Sequence, residues 1–247
     1  MWDDARQLNV AAATLAALAV LALLWASGSW LVRQPWAAFH EVVVAAPLER
    51  ASAPQVEAVI RDELAGTFFT MDLARARASL GQVAWVRSVA LRRQWPGRLE
   101  VTVEEHVPLA RWNDTALVNT EGETFVADWN GELPSFAGPE GRAAEVTLRW
   151  REWSEAVAPL ALALPAIRLS DRGGWSLAAA GPAGRLDLEL GREEPSTRLA
   201  RFVAAYGRTV GALARAGTKV GHVDLRYRNG FAARVPGFRE KPPKKAA

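Results

Sequence analysis

The sequence contains no cysteine among its 247 residues, so it can form no disulfide and has no thiol to act as a nucleophile or a metal ligand. Histidine is almost as scarce. His40, His106 and His222 are far apart in the sequence and show none of the short spacings that metal sites use. The absence of thiols and of paired histidines removes several common classes of catalytic and metal site.

Other catalytic patterns are missing as well. The chain has no glycine-rich phosphate loop, no nucleophile elbow and no cluster of metal-binding carboxylates. Glu104 and Glu105 are adjacent at the end of a predicted strand, where neighbouring side chains point to opposite faces, so they cannot act together on one substrate. We therefore predict a protein that is not an enzyme and that needs no cofactor or metal ion.

A surplus of charge of one sign is also lacking. The 30 basic and 27 acidic residues leave a net charge of +3, and the two signs are interspersed along the chain. This distribution does not favour nucleic-acid binding, and no small-molecule substrate is indicated. The Lys- and Pro-containing residues 238–247 predict a disordered basic tail.

Long apolar runs are absent except for one near the start. Residues 10–26 carry no charge and a single hydroxyl, Thr14, and the run continues to Val32. Crossing a hydrocarbon core of about 30 Å takes about 20 helical residues, which this run supplies. A cleaved signal peptide is the alternative, but the run exceeds a typical signal core and acidic Asp3 and Asp4 precede it. We predict one uncleaved transmembrane helix.

The orientation of this helix follows from what lies on each side. Positive charge is nearly balanced across it, since Arg6 and the amino terminus face Arg33. Trp25, Trp30 and Trp36 are typical of an aromatic belt at the far interface. A leader of nine residues has little to fold in the cytoplasm, so we expect the large carboxy-terminal part to be exported.

Hydrophobic periodicity after the anchor predicts a small β-α-α-β-β unit. A strand around Val42 and a helix opened by Pro54 and ended by Gly66 come first, followed by a helix capped by Asp72. Two strands joined at a Trp-Pro-Gly corner complete the unit. We expect a three-stranded sheet with both helices on one face.

The second region alternates short strands with two helices. The longer helix is predicted over residues 195–216, because its apolar residues recur at three- and four-residue steps and Gly217 follows. The last two strands are predicted as a hairpin with a two-residue turn at Asn229-Gly230. After Val235 only a Pro- and Lys-containing tail remains, so we expect this sheet edge to be open to another protein.

Several short segments of the sequence resemble those of a known family, the bacterial cell-division proteins FtsQ/DivIB. The order and spacing of many short segments over about 200 residues carry the resemblance, including Trp85-Val86-Arg87-Ser88-Val89, Arg93-Gln94-Trp95-Pro96, Leu190-Gly191-Arg192, Arg198-Leu199-Ala200-Arg201-Phe202 and Val223-Asp224-Leu225-Arg226-Tyr227. The resemblance implies an α+β protein: a single N-terminal transmembrane helix, a β-α-α-β-β POTRA domain and a mostly antiparallel β domain with flanking helices. The implied ranges are a leader (1–9), helix (10–32), linker (33–38), POTRA domain (39–107), β domain (108–237) and tail (238–247).

The resemblance further implies a non-catalytic scaffold of the division complex in the bacterial inner membrane, with its carboxy-terminal domains in the periplasm at the septum. It implies FtsB and FtsL as partners, with a segment of FtsB added as a strand beside the last strand, and FtsK as a partner of the POTRA domain. The alternative is a component of outer-membrane assembly or secretion, where POTRA modules bind unfolded strands. Such proteins usually carry several modules or a barrel.

The resemblance also assigns partner-binding residues. Those for an FtsB-type partner are Arg226, Tyr227, Asn229, Gly230 and Arg172, with Arg168 as the alternative to Arg172. Simpler explanations exist: packing in the sheet for Tyr227, a solvated face for the arginines, and a plain turn for Asn229-Gly230.

In the POTRA domain the positions sensitive for recruitment fall on Ser88, Leu91, Arg93 and Glu105. The alternation of the strand favours core packing for Leu91. The Trp95-Pro96 corner is assigned to folding rather than to contact.

Overall fold

A computed structural model describes residues 5–34, 38–45, 47–63 and 67–235. The described residues up to His106 form one unit and those from Val107 onward form a second. The predicted helix end at Gly66, Trp36 of the aromatic belt and the tail 238–247 lie outside the described residues.

The N-terminal helix α1 (Ala5–Leu31) is the single described helix long and apolar enough to cross a membrane. Its stretch Asn9–Leu31 contains 23 residues with a mean hydropathy of 2.2, and none of it is buried against the rest of the protein. An apolar helix of this length, without a protein surface to cover it, has the dimensions of a bilayer-spanning segment.

The rest of the first unit is a small sheet with two helices. Its elements are β1 (Glu41–Val44), α2 (Ala53–Glu63), α3 (Leu73–Leu80), β2 (Val86–Gln94) and β3 (Arg98–Glu105). The strand order is β1-β3-β2, with β1 parallel and β2 antiparallel to β3. The predicted β-α-α-β-β unit is therefore confirmed.

The core of this unit comes from one face of the sheet and one stripe of each helix. Val56, Leu80, Leu99 and Val101 are essentially inaccessible to solvent. The second helix starts where predicted, because the side chain of Asp72 accepts hydrogen bonds from the backbone N–H groups of Ala74 (2.9 Å) and Arg75 (3.1 Å).

The second unit is built on a nine-stranded sheet in the order β12-β11-β10-β9-β8-β7-β4-β5-β6. Its elements are β4 (Pro108–Trp112), β5 (Ala116–Asn119), β6 (Thr124–Phe125), β7 (Ser135–Ala137), α4 (Ala143–Val157), β8 (Ala163–Leu169), β9 (Trp175–Gly181), β10 (Gly184–Gly191), α5 (Pro195–Tyr206), α6 (Val210–Arg215), β11 (His222–Asp224) and β12 (Ala232–Arg234). Five strand pairs are antiparallel and three are parallel, which confirms the mostly antiparallel β domain.

Aromatic residues hold the helices onto this sheet. The ring of Trp153 is buried and packs edge-on against Trp175 of β9, with centroids 5.1 Å apart. Its indole N–H donates to the hydroxyl of Ser196 in α5 over 2.9 Å, so burial leaves no unsatisfied donor. The indole N–H of Trp150 donates to the carbonyl oxygen of Leu164 over 2.9 Å. These bonds fix α4 between β8 and α5.

The helix predicted over 195–216 is in fact two helices, so that prediction is wrong in one respect. α5 ends at Tyr206, and α6 begins at Val210 after Gly207, Arg208 and Thr209. Gly207 weakens the helix, and the hydroxyl of Thr209 bonds to the carbonyl oxygen of Ala205 over 2.8 Å. The apolar stripe continues through the break, since Val210 remains buried, and so the periodicity did not reveal it.

Together α5 and α6 connect β10 to β11, and both helices lie on one face of the sheet. A helical crossover returns the chain in its original direction, so β11 pairs parallel to β10, with Leu188 opposite Val223. The crossover places β11 and β12 last in the sheet, outside β10.

Candidate protein-binding edge

The last strand, β12, forms one edge of the nine-stranded sheet. It pairs antiparallel with β11, with Val223 opposite Ala233 and Asp224 opposite Ala232. All three residues of β12 are exposed, and no strand lies on its outer side in the part of the chain that the structure describes. In antiparallel pairing the backbone groups of alternate residues point away from the partner, so this edge presents unpaired N–H and C=O groups to solvent.

The connection from β11 to β12 is longer than predicted. The register joins Asp224 to Ala232, which leaves seven residues, 225–231, between the strands. Neither Asn229 nor Gly230 has the positive φ that a two-residue type I′ turn requires at both positions, so the predicted tight turn is wrong. We call residues 225–231 the edge loop.

One end of the edge loop is buried and the other is partly buried, and both ends hold the loop in place. Leu225 is 2% exposed, and the ring of Phe231 packs edge-on against Phe202 of α5 with centroids 5.6 Å apart. The guanidinium of Arg201 donates to the carbonyl oxygen of Arg228 in the middle of the loop. The longer loop lets Leu225 enter the core and Phe231 pack against it, which a two-residue turn would not allow.

The middle of the edge loop, residues 226–230, is exposed to solvent. Tyr227 leaves 56% of its surface accessible, so its ring does not pack into the sheet. An exposed tyrosine in a loop whose two ends pack on the core presents a large, rigid surface that needs little ordering to bind.

The side chain of Arg226 is held by Asp224, the last residue of β11. Its Nε and Nη2 donate to Oδ1 and Oδ2 of Asp224 over 2.9 Å and 2.7 Å, and its backbone N–H donates to the same Oδ1 over 3.0 Å. These hydrogen bonds from Arg226 lower the pKa of Asp224, and the carboxylate in turn raises the pKa of Arg226. On its other side Arg226 lies against Gly191, where a Cβ would come within 3.0 Å of its Cγ.

Arg172 lies in the turn between β8 and β9. That turn is at the same end of the sheet as the edge loop, because Leu169 and Gly191 both pair with Trp175, and Glu189 pairs with Asp224. Arg172 is exposed, and its side chain makes no hydrogen bond or ion pair with the residues that the structure describes. The structure thus places the turn of Arg172 and the edge loop at one end of the sheet.

Arg168, the alternative to Arg172, occupies a different place. It lies within β8 and shares a row across the open face of the sheet with Ser176, Glu189 and Asp224. The direct cross-strand neighbour of Arg168 is Ser176, so Arg168 lies on the sheet face and not in the turn at the end of the sheet.

A small cleft of about 150 Å³ lies between α5 and the edge loop. Its apolar lining comes from Phe202, Ala205, Leu225 and Phe231, and Arg198 and Arg201 also line it. We did not predict these α5 residues as part of the site. The helical periodicity indicates burial for Phe202, and no sequence signal shows that the edge loop would pack beside this part of α5.

The four residues predicted in the first unit are in different environments. Ser88 is exposed on β2, and its hydroxyl donates to Glu104 over 2.8 Å. Leu91 is 8% exposed and belongs to the core, as the strand alternation favours. Arg93 reaches the loop before α3 and donates to the carbonyl oxygen of Met71 over 2.5 Å. Of the four, only Ser88 offers its side chain to solvent without holding a distant segment.

Glu105 binds its own chain. Its carboxylate accepts backbone hydrogen bonds from Glu49 (3.1 Å), Arg50 (3.1 Å) and Ala51 (2.6 Å) in the segment before α2. Burial alone would raise the pKa of Glu105, but these three hydrogen bonds and the charge of Arg50 lower it overall. The contacts indicate that Glu105 fixes the segment that precedes α2.

The chain is similar to two families of domains. Residues 110–226 match the family described as "Cell division protein FtsQ/DivIB, C-terminal", and residues 38–106 match "POTRA domain, FtsQ-type". The first match ends at Arg226, so the rest of the edge loop and β12 lie beyond it.

Curated relatives extend the similarity over nearly the whole chain. Identity is 40% to the cell division protein FtsQ of Burkholderia pseudomallei over 246 residues, which are 97% of this chain and 96% of that protein. It is 37% to the FtsQ protein of Nitrosospira multiformis over 95% of this chain and 99% of that protein. With the FtsQ protein of Escherichia coli it is 34%, over 73% of this chain and 65% of that protein. These matches favour a role in division over one in outer-membrane assembly or secretion.

Proposed function

The chain belongs to the FtsQ/DivIB family of cell division proteins, and on that premise we propose that it is a single-pass scaffold of the division complex in the bacterial inner membrane. Its amino terminus lies in the cytoplasm and its two folded units lie in the periplasm at the septum. It links early and late septal proteins and has no catalytic role.

At the centre of this proposal is strand addition at β12 by an FtsB-type partner that is bound in turn to an FtsL-type protein. The observation that carries it is the exposed outer side of β12, next to an edge loop that presents Tyr227. Each main-chain hydrogen bond formed by an added strand contributes about 0.5–1.5 kcal/mol net. A strand of three residues offers few such bonds, which alone give weak binding, so side-chain anchors must supply the rest.

The anchors we propose are Tyr227, Arg226 and Arg172. The pairing of Arg226 with Asp224 holds the arginine in one orientation before the partner arrives, which reduces the entropy lost on binding. Asn229 and Gly230 follow Tyr227 in the exposed part of the loop and would contact the same segment. Arg172, from the neighbouring turn, would pair with a partner carboxylate.

For the POTRA domain we propose contacts with other septal proteins, among them an FtsK-type partner. Ser88, exposed on the edge strand β2, is the candidate for direct contact. Leu91, Arg93 and Glu105 would act through the shape of the domain, because the first is buried and the other two bind segments of the same domain.

A fluorescent fusion of the full chain tests the division role. We expect the fusion to localise at mid-cell, to support growth when the native copy is depleted, and to lose function with Tyr227→Ala. Lys219→Glu is a matched control, because Lys219 is exposed in the loop that precedes β11, at the opposite end of that strand from the edge loop. A fusion spread evenly over the envelope that still supports growth would contradict the proposal.

A further inference from the structure

Four aromatic rings form a cluster at one end of the first unit. Phe68 packs against Phe39 (centroids 5.9 Å apart), Phe69 (5.3 Å) and Trp95 (5.7 Å). Phe68 and Phe69 lie in the loop that leads into α3, and Trp95 lies in the corner between β2 and β3. We call these four residues the aromatic cluster.

Two members of the aromatic cluster are largely open to solvent. Phe69 is 48% exposed and Trp95 is 65% exposed. The assignment of the Trp95-Pro96 corner to folding alone therefore does not account for the position of the tryptophan ring. Large exposed aromatic rings grouped at one place mark an interaction surface.

The aromatic cluster is tied to the end of the membrane helix by a hydrogen bond. The hydroxyl of Thr67, which precedes Phe68, donates to the carbonyl oxygen of Val32 over 2.7 Å. Val32 directly follows the last residue of α1, and Thr67 is 9% exposed. The loop with Phe68 and Phe69 thus lies beside the chain as it leaves the helix.

A second tie joins the corner of Trp95 to the same part of the chain. The backbone N–H of His40 donates to the carbonyl oxygen of Gly97 over 2.8 Å. A Cβ at Gly97 would lie 2.9 Å from the carbonyl oxygen of Ala38, so the chain arriving from α1 packs directly on the corner. Seven residues, 32–38, separate α1 from Phe39 and can span at most about 25 Å.

We propose that the aromatic cluster binds the outer surface of the phospholipid bilayer and holds the POTRA domain against it. Tryptophan and phenylalanine favour the membrane–water interface, where their rings leave water without entering the hydrocarbon core completely. Trp30 in the last turn of α1 is 66% exposed, as expected for a tryptophan at the membrane–water interface. The inference rests on the proposed membrane span of α1.

Spin labels in the full chain test this membrane contact. The absence of native cysteine makes each introduced cysteine the single labelling site. The labelled variants are Phe69→Cys in the aromatic cluster, Arg92→Cys near it, Gln82→Cys in the turn before β2, and Leu18→Cys within α1. Arg92 and Gln82 are exposed near opposite ends of β2, and Leu18 is 63% exposed. Each variant is placed in phosphatidylcholine nanodiscs, and oxygen and a water-soluble nickel complex are compared as relaxing agents.

We expect Leu18 and Phe69 labels to be relaxed more by oxygen, and the Gln82 label more by nickel. The Arg92 label should gain nickel accessibility when Phe69→Ser and Trp95→Ser are added, because the domain lifts from the lipid. If the Phe69 label is as accessible to nickel as the Gln82 label while the Leu18 label is in lipid, the aromatic cluster does not contact the membrane. The membrane span of α1 is then still supported. If the Leu18 label is also accessible to nickel, both the membrane span and the membrane contact of the aromatic cluster are wrong.

Discussion

The guanidinium of Arg226 and the carboxylate of Asp224 form two parallel hydrogen bonds, from Nε to Oδ1 at 2.9 Å and from Nη2 to Oδ2 at 2.7 Å. A paired arginine cannot act as a simple exposed charge. In this fold the pair holds the start of the edge loop, and it keeps the remaining donors of Arg226 in a fixed direction.

Arg226→Glu should abolish binding of an FtsB-type partner, because it places a carboxylate next to Asp224 and removes the donors. Asp224→Asn should weaken binding less, because Arg226 remains but is no longer held in one orientation. Dissociation constants from titration calorimetry with the full chain in detergent would measure both. Unchanged affinity for Arg226→Glu, with a native circular dichroism spectrum, would remove Arg226 from the site.

Tyr227→Ala should reduce the affinity for the same partner by at least about 30-fold, equivalent to about 2 kcal/mol. The ring is exposed in the free protein and would be buried on binding, so its loss should leave the thermal stability unchanged. Tyr227→Phe is the matched control and should retain most of the affinity if the ring provides the contact. Equal affinities for wild type and Tyr227→Ala in a pull-down would contradict this assignment.

Arg172→Glu should weaken partner binding by about tenfold, or about 1.4 kcal/mol, because an interfacial ion pair is lost and a repulsion takes its place. Arg168→Glu should change affinity little, since Arg168 lies within β8 on the open face of the sheet and not in the turn at the end of the sheet. Reversal of the partner carboxylate to lysine should rescue Arg172→Glu and not wild type. The opposite ranking of the two arginine variants would assign the contact to Arg168.

Glu105→Gln should destabilise the POTRA unit at about pH 7 by roughly 1 kcal/mol, a modest value because the site is partly open to water. The folded-state pKa of Glu105 lies below its ordinary value of 4.5. Its stabilising effect is therefore complete above pH 4.5 and declines as the pH falls toward the folded-state pKa.

Thermal unfolding of wild type and Glu105→Gln between about pH 3 and pH 7 would check this dependence. The difference between the two transition temperatures should shrink on acidification. A difference that stays constant across this range would show that the carboxylate charge does not hold the segment before α2. Glu57→Gln, at an exposed position of α2, serves as the control substitution.

Local patterns in the sequence predicted much of the fold. The cap at Asp72 and the alternation of β3 depend on neighbouring residues, and the structure confirms both. The break between α5 and α6 was missed because the apolar stripe runs through it to Val210. A hydrophobic pattern reports which side faces the core and not whether the backbone is continuous.

Features that depend on distant contacts could not be predicted from local patterns. Asn229-Gly230 is a strong local signal for a tight turn, but burial of Leu225 and packing of Phe231 on Phe202 set a longer loop. The pairing of Arg226 with Asp224 depends on the strand ending at Asp224, and the hydrogen bonds that Glu105 accepts come from residues more than fifty positions away. These contacts decide which residues remain available for a partner.

Hydrogen exchange at β12 tests strand addition most directly. The full chain in detergent is compared alone and with a saturating amount of the FtsB-type partner, with exchange followed at the backbone amides of Ala232–Arg234. We predict that at least one of these amides exchanges much more slowly in the complex, because an outward N–H becomes hydrogen-bonded to the added strand. Unchanged exchange at all three amides while the partner is bound would contradict the account.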